Sequence, residues 1–273
     1  MSAPFKLALE ALIPPQPCRY SADQQALIHR ACGIDVSEPW RDPFLAFMGG
    51  VYAVGEAITA QLPTWGAVIA RQAVSIKARH PIDAPAITHG RVTEFAANAR
   101  GYSLGISLEA ANPAGKPFAE ALMTLFLFDP GAAPGERKQD APGLESATPP
   151  RLDPLGMYSF TPEAVRCFEF DRPPSPHTDL DVARSAGFPK PIVAGNQVFS
   201  IIWNRFVSPG FALPVDMNFT LKHPIFWDET ITFEKRSGDA PGRETLEVRN
   251  AFGKTAIVCA LSGNGSLAQV VAR

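Results

Sequence analysis

The first half of the chain combines one long apolar stretch with runs in which apolar and polar residues alternate. The stretch Pro43–Gln61 is apolar at most positions, which is typical of a buried helix. Further along, Tyr102, Leu104, Ile106 and Leu108 alternate with small or polar residues, which is the two-residue period of a half-buried strand. The same patterns predict strands after the helix at Ala67–Ala78, Thr88–Arg100, Tyr102–Ala111 and Pro117–Phe128.

The second half repeats this order after two short helices. Thr161-Pro162-Glu163 indicates a helix start, because threonine caps, proline fits the first turn and glutamate favours the positive helix end. We predict a second short helix at Asp179–Ala186 and a central apolar helix at Asn196–Phe206. The strands expected after it are Thr220–His223, Thr230–Lys235, Glu244–Asn250 and Thr255–Ser262. In each half, an apolar helix followed by an antiparallel meander predicts an α+β fold in which the sheet wraps the helix.

The two halves also share short sequence landmarks. VSIKARHPI at Val74–Ile82 is similar to MNFTLKHPI at Met217–Ile225, and GKPFAEAL at Gly115–Leu122 is similar to GKTAIVCAL at Gly253–Leu261. Two landmarks in the same order indicate a duplicated unit. We therefore expect the halves to superpose, with His80 near His223 and Gly115 near Gly253.

The segment Asp129–Pro154 is rich in proline, glycine and alanine and poor in bulky apolar residues, as a linker is. We predict three parts: a first domain at residues 1–130, a linker at 131–154 and a second domain at 155–273. A long surface loop within one domain is the alternative, although loops of that length are uncommon.

Composition narrows the function classes. The 273 residues carry a net charge of −2, with 25 basic and 27 acidic side chains and no block of like charge, so nucleic acid and anionic membrane are poor partners. The four cysteines are widely separated, and neither they nor the five histidines have metal-ligand spacing. The N-terminus lacks the pattern of a signal peptide, and no apolar run has membrane-spanning length. We expect a cytoplasmic protein without a metal or a separate cofactor.

The segment Phe168–Ser200 carries the candidate chemistry. Pro173, Pro174 and Pro176 make its first part rigid and non-helical, so that Asp171 and His177 share one constrained loop. After a short helix and a proline-containing turn, Ala194-Gly195 leads into the central helix.

This segment resembles the signature of the MaoC-like dehydratases and hydratase 2, the (R)-specific enoyl-CoA hydratases, whose general form is G-D-x-N-P-[IL]-H-x-D-x(3)-A, then A-G-F, then P-I-x-H-G. The residues that match are His177, Asp179, Ala183, Ala186-Gly187-Phe188, Pro191-Ile192 and Gly195. In the first half, Tyr52–Gly55, Leu62–Thr64 and Gly101 followed by Gly115 are similar to the amino-terminal part of hydratase 2 proteins.

The resemblance implies a tandem, or double, hotdog fold and a lyase that adds water to 2-enoyl thioesters or removes it from 3-hydroxyacyl thioesters. It implies that Asp171 and His177 hold one water, that the Gly195 amide binds the thioester oxygen, and that coenzyme A enters as part of the substrate. We expect the substrate to contact Pro191, Ile192, Val193, Ala194 and Asn196. It also implies a homodimer in which the first half has lost its catalytic loop and accommodates the acyl chain.

The chemistry agrees with such a site. Hydration of a conjugated thioester needs a base for the water and an acid for the α-carbon. A carboxylate beside a histidine favours the imidazolium, and an amide at a helix start stabilises a developing enolate oxygen. We expect a mostly apolar pocket that runs from His177 toward Pro43–Gln61, with the Asp171 carboxylate within hydrogen-bond or one-water reach of the His177 ring.

Three departures from the family pattern keep other functions open. Arg172 stands where the family has its aspartate, so that Asp171 precedes His177 by one extra residue; Pro174 replaces the asparagine and Ala194 the histidine. The alternatives are an acyl-CoA thioesterase and a catalytically impaired partner subunit of a heteromeric hydratase.

Several residues also have a plain structural interpretation. Asp171 is equally suited to pair with Arg172 or Arg166 at the surface, and Asp179 fits a helix cap better than a catalyst. His80 and His223 are interpreted as strand-end residues, and the His89-Gly90 pair as coincidence. Arg184 and Lys190 are more typical of solvated surface charge than of a phosphate site.

Overall fold

The computed structural model describes residues 12–34, 39–59, 67–98, 101–129, 151–169, 174–240 and 242–268. The strands within these residues are β1 (Leu12–Pro17), β2 (Ala67–Ile76), β3 (Ile87–Asn98), β4 (Gly101–Ala111), β5 (Pro117–Phe128), β6 (Leu152–Ser159), β7 (Phe211–Leu221), β8 (Thr230–Arg236), β9 (Arg243–Arg249) and β10 (Thr255–Gly265). The helices are α1 (Ala22–Ala31), α2 (Pro43–Ala46), α3 (Met48–Thr59), α4 (Pro162–Phe168), α5 (Leu180–Ser185) and α6 (Gly195–Ile202), which a π-helical turn at Trp203–Val207 continues. No helix in these ranges is long and apolar enough to cross a membrane.

The strands form one antiparallel sheet in the order β1-β3-β4-β5-β2-β7-β10-β9-β8-β6. Read outward from its centre, the order is β2-β5-β4-β3-β1 on one side and β7-β10-β9-β8-β6 on the other, so both halves have the same connectivity. The predicted α+β fold is confirmed, with one difference. Instead of two separate sheets, β2 pairs with β7 from Arg71 opposite Thr220 to Ile76 opposite Val215, which makes the sheet continuous.

The duplication extends to the hydrogen bonds of the hairpins. Gly115 adopts a φ of 74° and donates its amide to Asn112, whose side-chain oxygen accepts two further amides of the turn. Gly253, with a φ of 69°, donates to Asn250, which caps its own turn in the same way. This left-handed conformation favours glycine, so the second sequence landmark marks equivalent hairpins.

The segments of the first landmark, Val74–Ile82 and Met217–Ile225, are also equivalent, but their residues correspond in a different register from the predicted one. The amides of Lys77 and Ala78 both donate to the carbonyl of one β5 residue, Phe118, and those of Lys222 and His223 both donate to Ala256 in the second half. Three residues after Ala78 and His223, an isolated bridge pairs Pro81 with Trp40 in the first half and Phe226 with Ile192 in the second. Backbone pairing thus makes Ala78 the counterpart of His223, and the expectation that His80 matches His223 is wrong. The reason is that strand hydrogen bonds fix the register, whereas the shared His-Pro-Ile is shifted by two residues.

The central helices pack against each other and against the sheet. The ring of Phe44 in α2 lies 5.7 Å from that of Phe199 in α6 and 5.8 Å from that of Phe219 in β7. The helix expected at Pro43–Gln61 is divided at Phe47 into α2 and α3, and its last two residues lie outside the described ranges. At Gly50, an added Cβ would lie 2.8 Å from the Leu108 side chain, so glycine lets α3 approach the sheet closely.

Three elements were not expected from the sequence: α1 and the two outer strands. Both outer strands contain proline and an irregular register, β1 between Ile13 and Gln16 and β6 between Pro154 and Gly156. Proline is tolerated at sheet edges, where its missing amide breaks no ladder. Since β6 begins at Leu152, the last three residues of the predicted linker are strand. Residues 130–150 lie outside the described ranges, so the proposed boundaries stay a prediction.

Candidate active site

The central helix of the second half begins without a side-chain cap. Ala194 occupies the cap position in an extended conformation and offers no side-chain acceptor. The residue before it, Val193, is held by a 2.8 Å hydrogen bond from its amide to the carbonyl of Ile225. Gly195 is the first helical residue, and the first amides of a helix have no acceptor within it. The partly positive end of α6 is therefore open to an electron-rich oxygen.

The corresponding helix start in the first half is closed by its own carboxylate. Asp42 caps α2, and its Oδ1 accepts the amide of Phe44 over 2.8 Å. Its Oδ2 accepts hydrogen bonds from His29 Nε2 over 2.8 Å and from Asn204 Nδ2 over 3.1 Å. Asp42 and Ala194 hold the same position in the two halves, so the open helix start belongs to the second half.

His177 lies in the loop before α5, and the backbone fixes the orientation of its ring. Its Nδ1 lies 2.9 Å from the carbonyl oxygen of Ile192, and because a carbonyl only accepts, Nδ1 carries the proton. The Ile192 amide in turn donates to the carbonyl of Pro176 over 3.0 Å, which ties the loop to the start of α6. The neutral ring therefore keeps Nε2 as its acceptor, which is the form that a general base needs.

A cavity of about 450 Å³ runs from His177 toward the central helix of the first half. The segment Ile192–Asn196 forms the wall beside His177, and Val51, Tyr52 and Gly55 of α3 form part of the far wall. Most of the lining side chains are apolar. The prediction of an apolar pocket between His177 and the helix of the first half is confirmed.

The equivalent space in the first half is almost filled. Trp40, Phe118 and Trp203 surround a cavity of only about 20 Å³ beside Asp42. The ring of His80 stacks on Phe118 with 4.5 Å between the ring centroids. A fatty-acyl group does not fit there, so the described parts of the two halves differ in space as well as in the helix cap.

Two further buried polar side chains stand on the cavity wall. Glu169, at the end of α4, is 3% exposed, and Asn196, in the first turn of α6, is 2% exposed. Sequence reasoning missed Glu169. Its position is the signal, because a carboxylate is unfavourable at the negative end of a helix unless something else selects it.

A lysine and a histidine lie on the cavity wall with part of their surface exposed to solvent. Lys222 is exposed and His223 is half-buried, and both line the cavity. The counterpart of Lys222 in the first half, Lys77, forms an ion pair with Glu120. Lys222 makes no ion pair with any residue in the described ranges. Because His223 also lines the cavity, its interpretation as a plain strand-end residue is incomplete.

The residues predicted to bind substrate mostly lie together. Ile192, Val193, Ala194, Gly195 and Asn196 all line the cavity beside the histidine loop. Pro191 is buried and does not line this cavity, and its carbonyl accepts the amide of Trp227 over 3.1 Å. Contact between Pro191 and substrate stays a prediction.

Asp171, the carboxylate predicted to pair with His177, lies outside the described residues, as does Arg172. Pro174, which follows them, lines the cavity. Asp179 caps α5 through 2.9 Å hydrogen bonds from the amides of Asp181 and Val182, as its structural interpretation predicted.

The two cations weighed as phosphate ligands have other partners. Lys190 lies 2.6 Å from Asp228, and Arg184 lies 3.9 Å from Asp181. Neither side chain lines the cavity. The interpretation as surface charge therefore fits both residues better than a phosphate site.

Solved structures of low sequence identity share this fold. HtdX of Mycobacterium tuberculosis matches with a TM-score of 0.71 at 15% identity, over 93% of this chain and 99% of HtdX. A MaoC-like dehydratase from Phytophthora capsici matches with a TM-score of 0.63 at 17% identity, over 93% and 95% of the two chains. Another Mycobacterium tuberculosis protein, described as a double hotdog, matches with a TM-score of 0.56 at 12% identity, over 94% and 96%.

These matches show that the chain has the double hotdog fold, which it shares with MaoC-like dehydratases. No protein-family model and no curated protein matches the sequence.

Proposed function

We propose that this chain hydrates 2-enoyl thioesters, or dehydrates 3-hydroxyacyl thioesters, with coenzyme A as part of the substrate. One observation carries the proposal: His177, whose ring is oriented by a backbone hydrogen bond, and the uncapped start of α6 line the same apolar cavity. His177 supplies a base, the start of α6 supplies a donor for an oxygen, and the cavity supplies a place for an acyl chain. Its structural neighbours include dehydratases.

His177 acts first as the general base. Its Nδ1 proton is engaged by the Ile192 carbonyl, so Nε2 takes the proton of the water that attacks C3. The thioester conjugates with the double bond, and negative charge therefore collects on its carbonyl oxygen. The reverse sequence applies to dehydration, in which the same group returns the proton to the departing hydroxyl.

Gly195 is the proposed donor for that oxygen. The amide at the start of α6 meets no side-chain cap, and the helix dipole favours negative charge there. A preorganised donor of this kind contributes about 3 kcal/mol to transition-state stabilisation.

A carboxylate completes the site by favouring the imidazolium as the proton moves. Asp171 remains the proposed partner of His177. Glu169 is a second candidate, because its side chain is buried on the same cavity wall. In this proposal the second domain carries the chemistry, while α3 of the first receives the acyl chain.

The test is incubation with crotonyl-CoA and longer 2-enoyl-CoAs, while the conjugated absorbance and free thiol are followed in one sample. Loss of absorbance without thiol release is expected. His177→Ala should abolish this reaction with the fold intact by circular dichroism.

A hotdog thioesterase is the second candidate, and Glu169 favours it. A buried carboxylate beside an acyl cavity can direct water at the carbonyl carbon instead of C3. Thiol release in the same assay would support this function. If neither signal changes, the departures at Pro174 and Ala194 favour the role of a partner subunit in a heteromeric hydratase.

A further inference from the structure

The position of Asn196 is unusual for a polar side chain. Its counterpart in the first half is Phe44, the second residue after the helix cap, and that ring is fully buried between Phe199 and Phe219. Asn196 is 2% exposed, so an amide stands where the duplicated fold has a core aromatic. Burial of a polar group is unfavourable unless it finds a hydrogen-bond partner.

The amide of Asn196 is only half satisfied. Its Nδ2 donates to the sulfur of Met48 over 3.0 Å, and a thioether is a weak acceptor. Its Oδ1 is buried and accepts no hydrogen bond from any residue that the structure describes. A carbonyl oxygen only accepts, so whatever satisfies it has to be a donor, such as a hydroxyl or a water.

The residue that carries this acceptor lines the same cavity as the histidine. Asn196 lines the cavity, and the His177 ring is anchored on Ile192, four residues earlier in the same segment. Gln197 differs in its location. It is also a fully buried amide whose Oε1 accepts no hydrogen bond from the described residues, but its Nε2 donates to the Ala164 carbonyl over 3.3 Å and it does not line the cavity.

We propose that Asn196 Oδ1 accepts a hydrogen bond from the oxygen that is added to, or lost from, C3 of the acyl chain. This rests on the proposed hydratase function. In hydration, one O–H of the water gives its proton to His177 Nε2 while the oxygen bonds to C3. The electron pair of the C2=C3 bond moves toward the thioester carbonyl, and C2 then takes the proton from His177 Nε2, which returns the ring to its neutral form. The second O–H, which is retained, points to Asn196 Oδ1.

The loop carries no amide side chain at the position where the resembling proteins have one. Pro174 stands where the resembling proteins have an asparagine and cannot donate or accept through its side chain. A neutral amide oxygen cannot remove a proton from water, so Asn196 orients the water while His177 activates it. In this proposal, the two residues together determine which face of C3 the water attacks.

Calorimetry with two ligands tests the inference apart from turnover. The wild-type protein should bind 3-hydroxybutyryl-CoA about fivefold or more tightly than butyryl-CoA, which lacks the hydroxyl. Asn196→Leu should lose this preference, whereas the control Gln197→Met should keep it. If Asn196→Leu does not fold, as judged by circular dichroism, Asn196→Ala takes its place.

Kinetics supply a second readout. Asn196→Leu should lower kcat for crotonyl-CoA about tenfold or more with a smaller change in KM, because the enoyl substrate has no hydroxyl to bind. Asn196→Asp keeps an acceptor but adds a negative charge beside His177. The acidic limb of its kcat/KM profile should move to higher pH, since the opposite charge favours the imidazolium.

The outcomes separate this inference from the proposed function. Hydration by the wild-type protein with equal affinity for both ligands would overturn the role of Asn196 and leave the hydratase function standing. An unmoved pH profile in Asn196→Asp would also overturn it. A wild-type protein that binds neither thioester refutes the proposed function and this inference together.

Discussion

Replacement of Ala194 by aspartate would transfer the cap of α2 to α6. Asp42 closes α2 by accepting amides of its first turn, and Ala194 holds the same position with no acceptor. An aspartate cap is worth about 1 kcal/mol over alanine, and 1 kcal/mol raises the Tm of a chain of this size by about 2–4 °C. We therefore expect Ala194→Asp to be more stable than the wild-type protein.

The same change should remove activity. If the enolate oxygen forms at the Gly195 amide, the new carboxylate lies roughly 4 Å from it, and at an effective dielectric of about 20 two such charges repel by about 4 kcal/mol. Repulsion of this size lowers kcat about 1000-fold. The stabilising gain and the catalytic loss thus have opposite signs, which a general folding defect cannot produce.

Ala194→Asn is the matched control, because its side chain caps the same amides without a charge. Differential scanning calorimetry and the enoyl-CoA absorbance assay should be run on all three proteins. We expect Ala194→Asn to show a similar increase in Tm and a decrease in kcat of less than about tenfold. A stabilised Ala194→Asp that keeps wild-type kcat would show that the enolate does not form at the start of α6, and the role of Gly195 would be wrong.

Three more predictions concern other charges. Asp171→Asn should lower kcat about 100-fold or more. Glu169→Gln, assayed in parallel, shows which of the two carboxylates assists His177. An active Asp171→Asn would exclude Asp171 from the mechanism. Burial alone would raise the pKa of Asp42, but the hydrogen bond and charge of its histidine partner outweigh burial and hold it below its usual range. Its stabilisation should therefore be full above about pH 4, the usual range of an unfolded aspartate, and be lost as the pH falls through the lower folded pKa. Urea midpoints measured against pH should decline less steeply for Asp42→Asn; equal slopes would contradict this. Lys222→Ala should raise KM for crotonyl-CoA about threefold or more, as expected when a cation near phosphate is lost, without affecting a crotonyl thioester of N-acetylcysteamine. The matched Lys77→Ala should change neither, and an equal effect of both variants would indicate surface charge alone.

The sequence predicted best those elements whose local chemistry and long-range pairing agree. The hairpins around Gly115 and Gly253 carry Asn and Gly at positions that the turn itself requires. The helix start at Thr161 is another case, since its side chain accepts the Ala164 amide over 3.2 Å. In such places a few adjacent residues determine the conformation.

The missed elements depend on contacts distant in sequence. The strand β1 contains three prolines, and only its pairing with β3 makes it a strand. The helix α1 does carry a local signal in the sequence, the capping box of Ser21 and Gln24. The equivalence of Ala78 with His223 follows from backbone pairing, which a shared tripeptide cannot reveal.

The candidate site divides in the same way. The motif was sufficient to predict His177 and the start of α6, because both lie in one contiguous segment. Glu169 becomes a candidate only when α4 is folded beside that segment, and the partnerless oxygen of Asn196 is visible only in three dimensions.

The continuous sheet has a consequence for self-association. Among the described residues, its two edge strands are β1 and β6, and both contain proline and a break in register. Proline and bulges disfavour the addition of another strand to an edge. We therefore expect that copies of this chain do not extend the sheet end to end, and that a homodimer associates through a face of the sheet or through helices and loops. A dimer that joined β1 or β6 to a second chain, seen by hydrogen exchange as new protection along either strand, would contradict this reasoning.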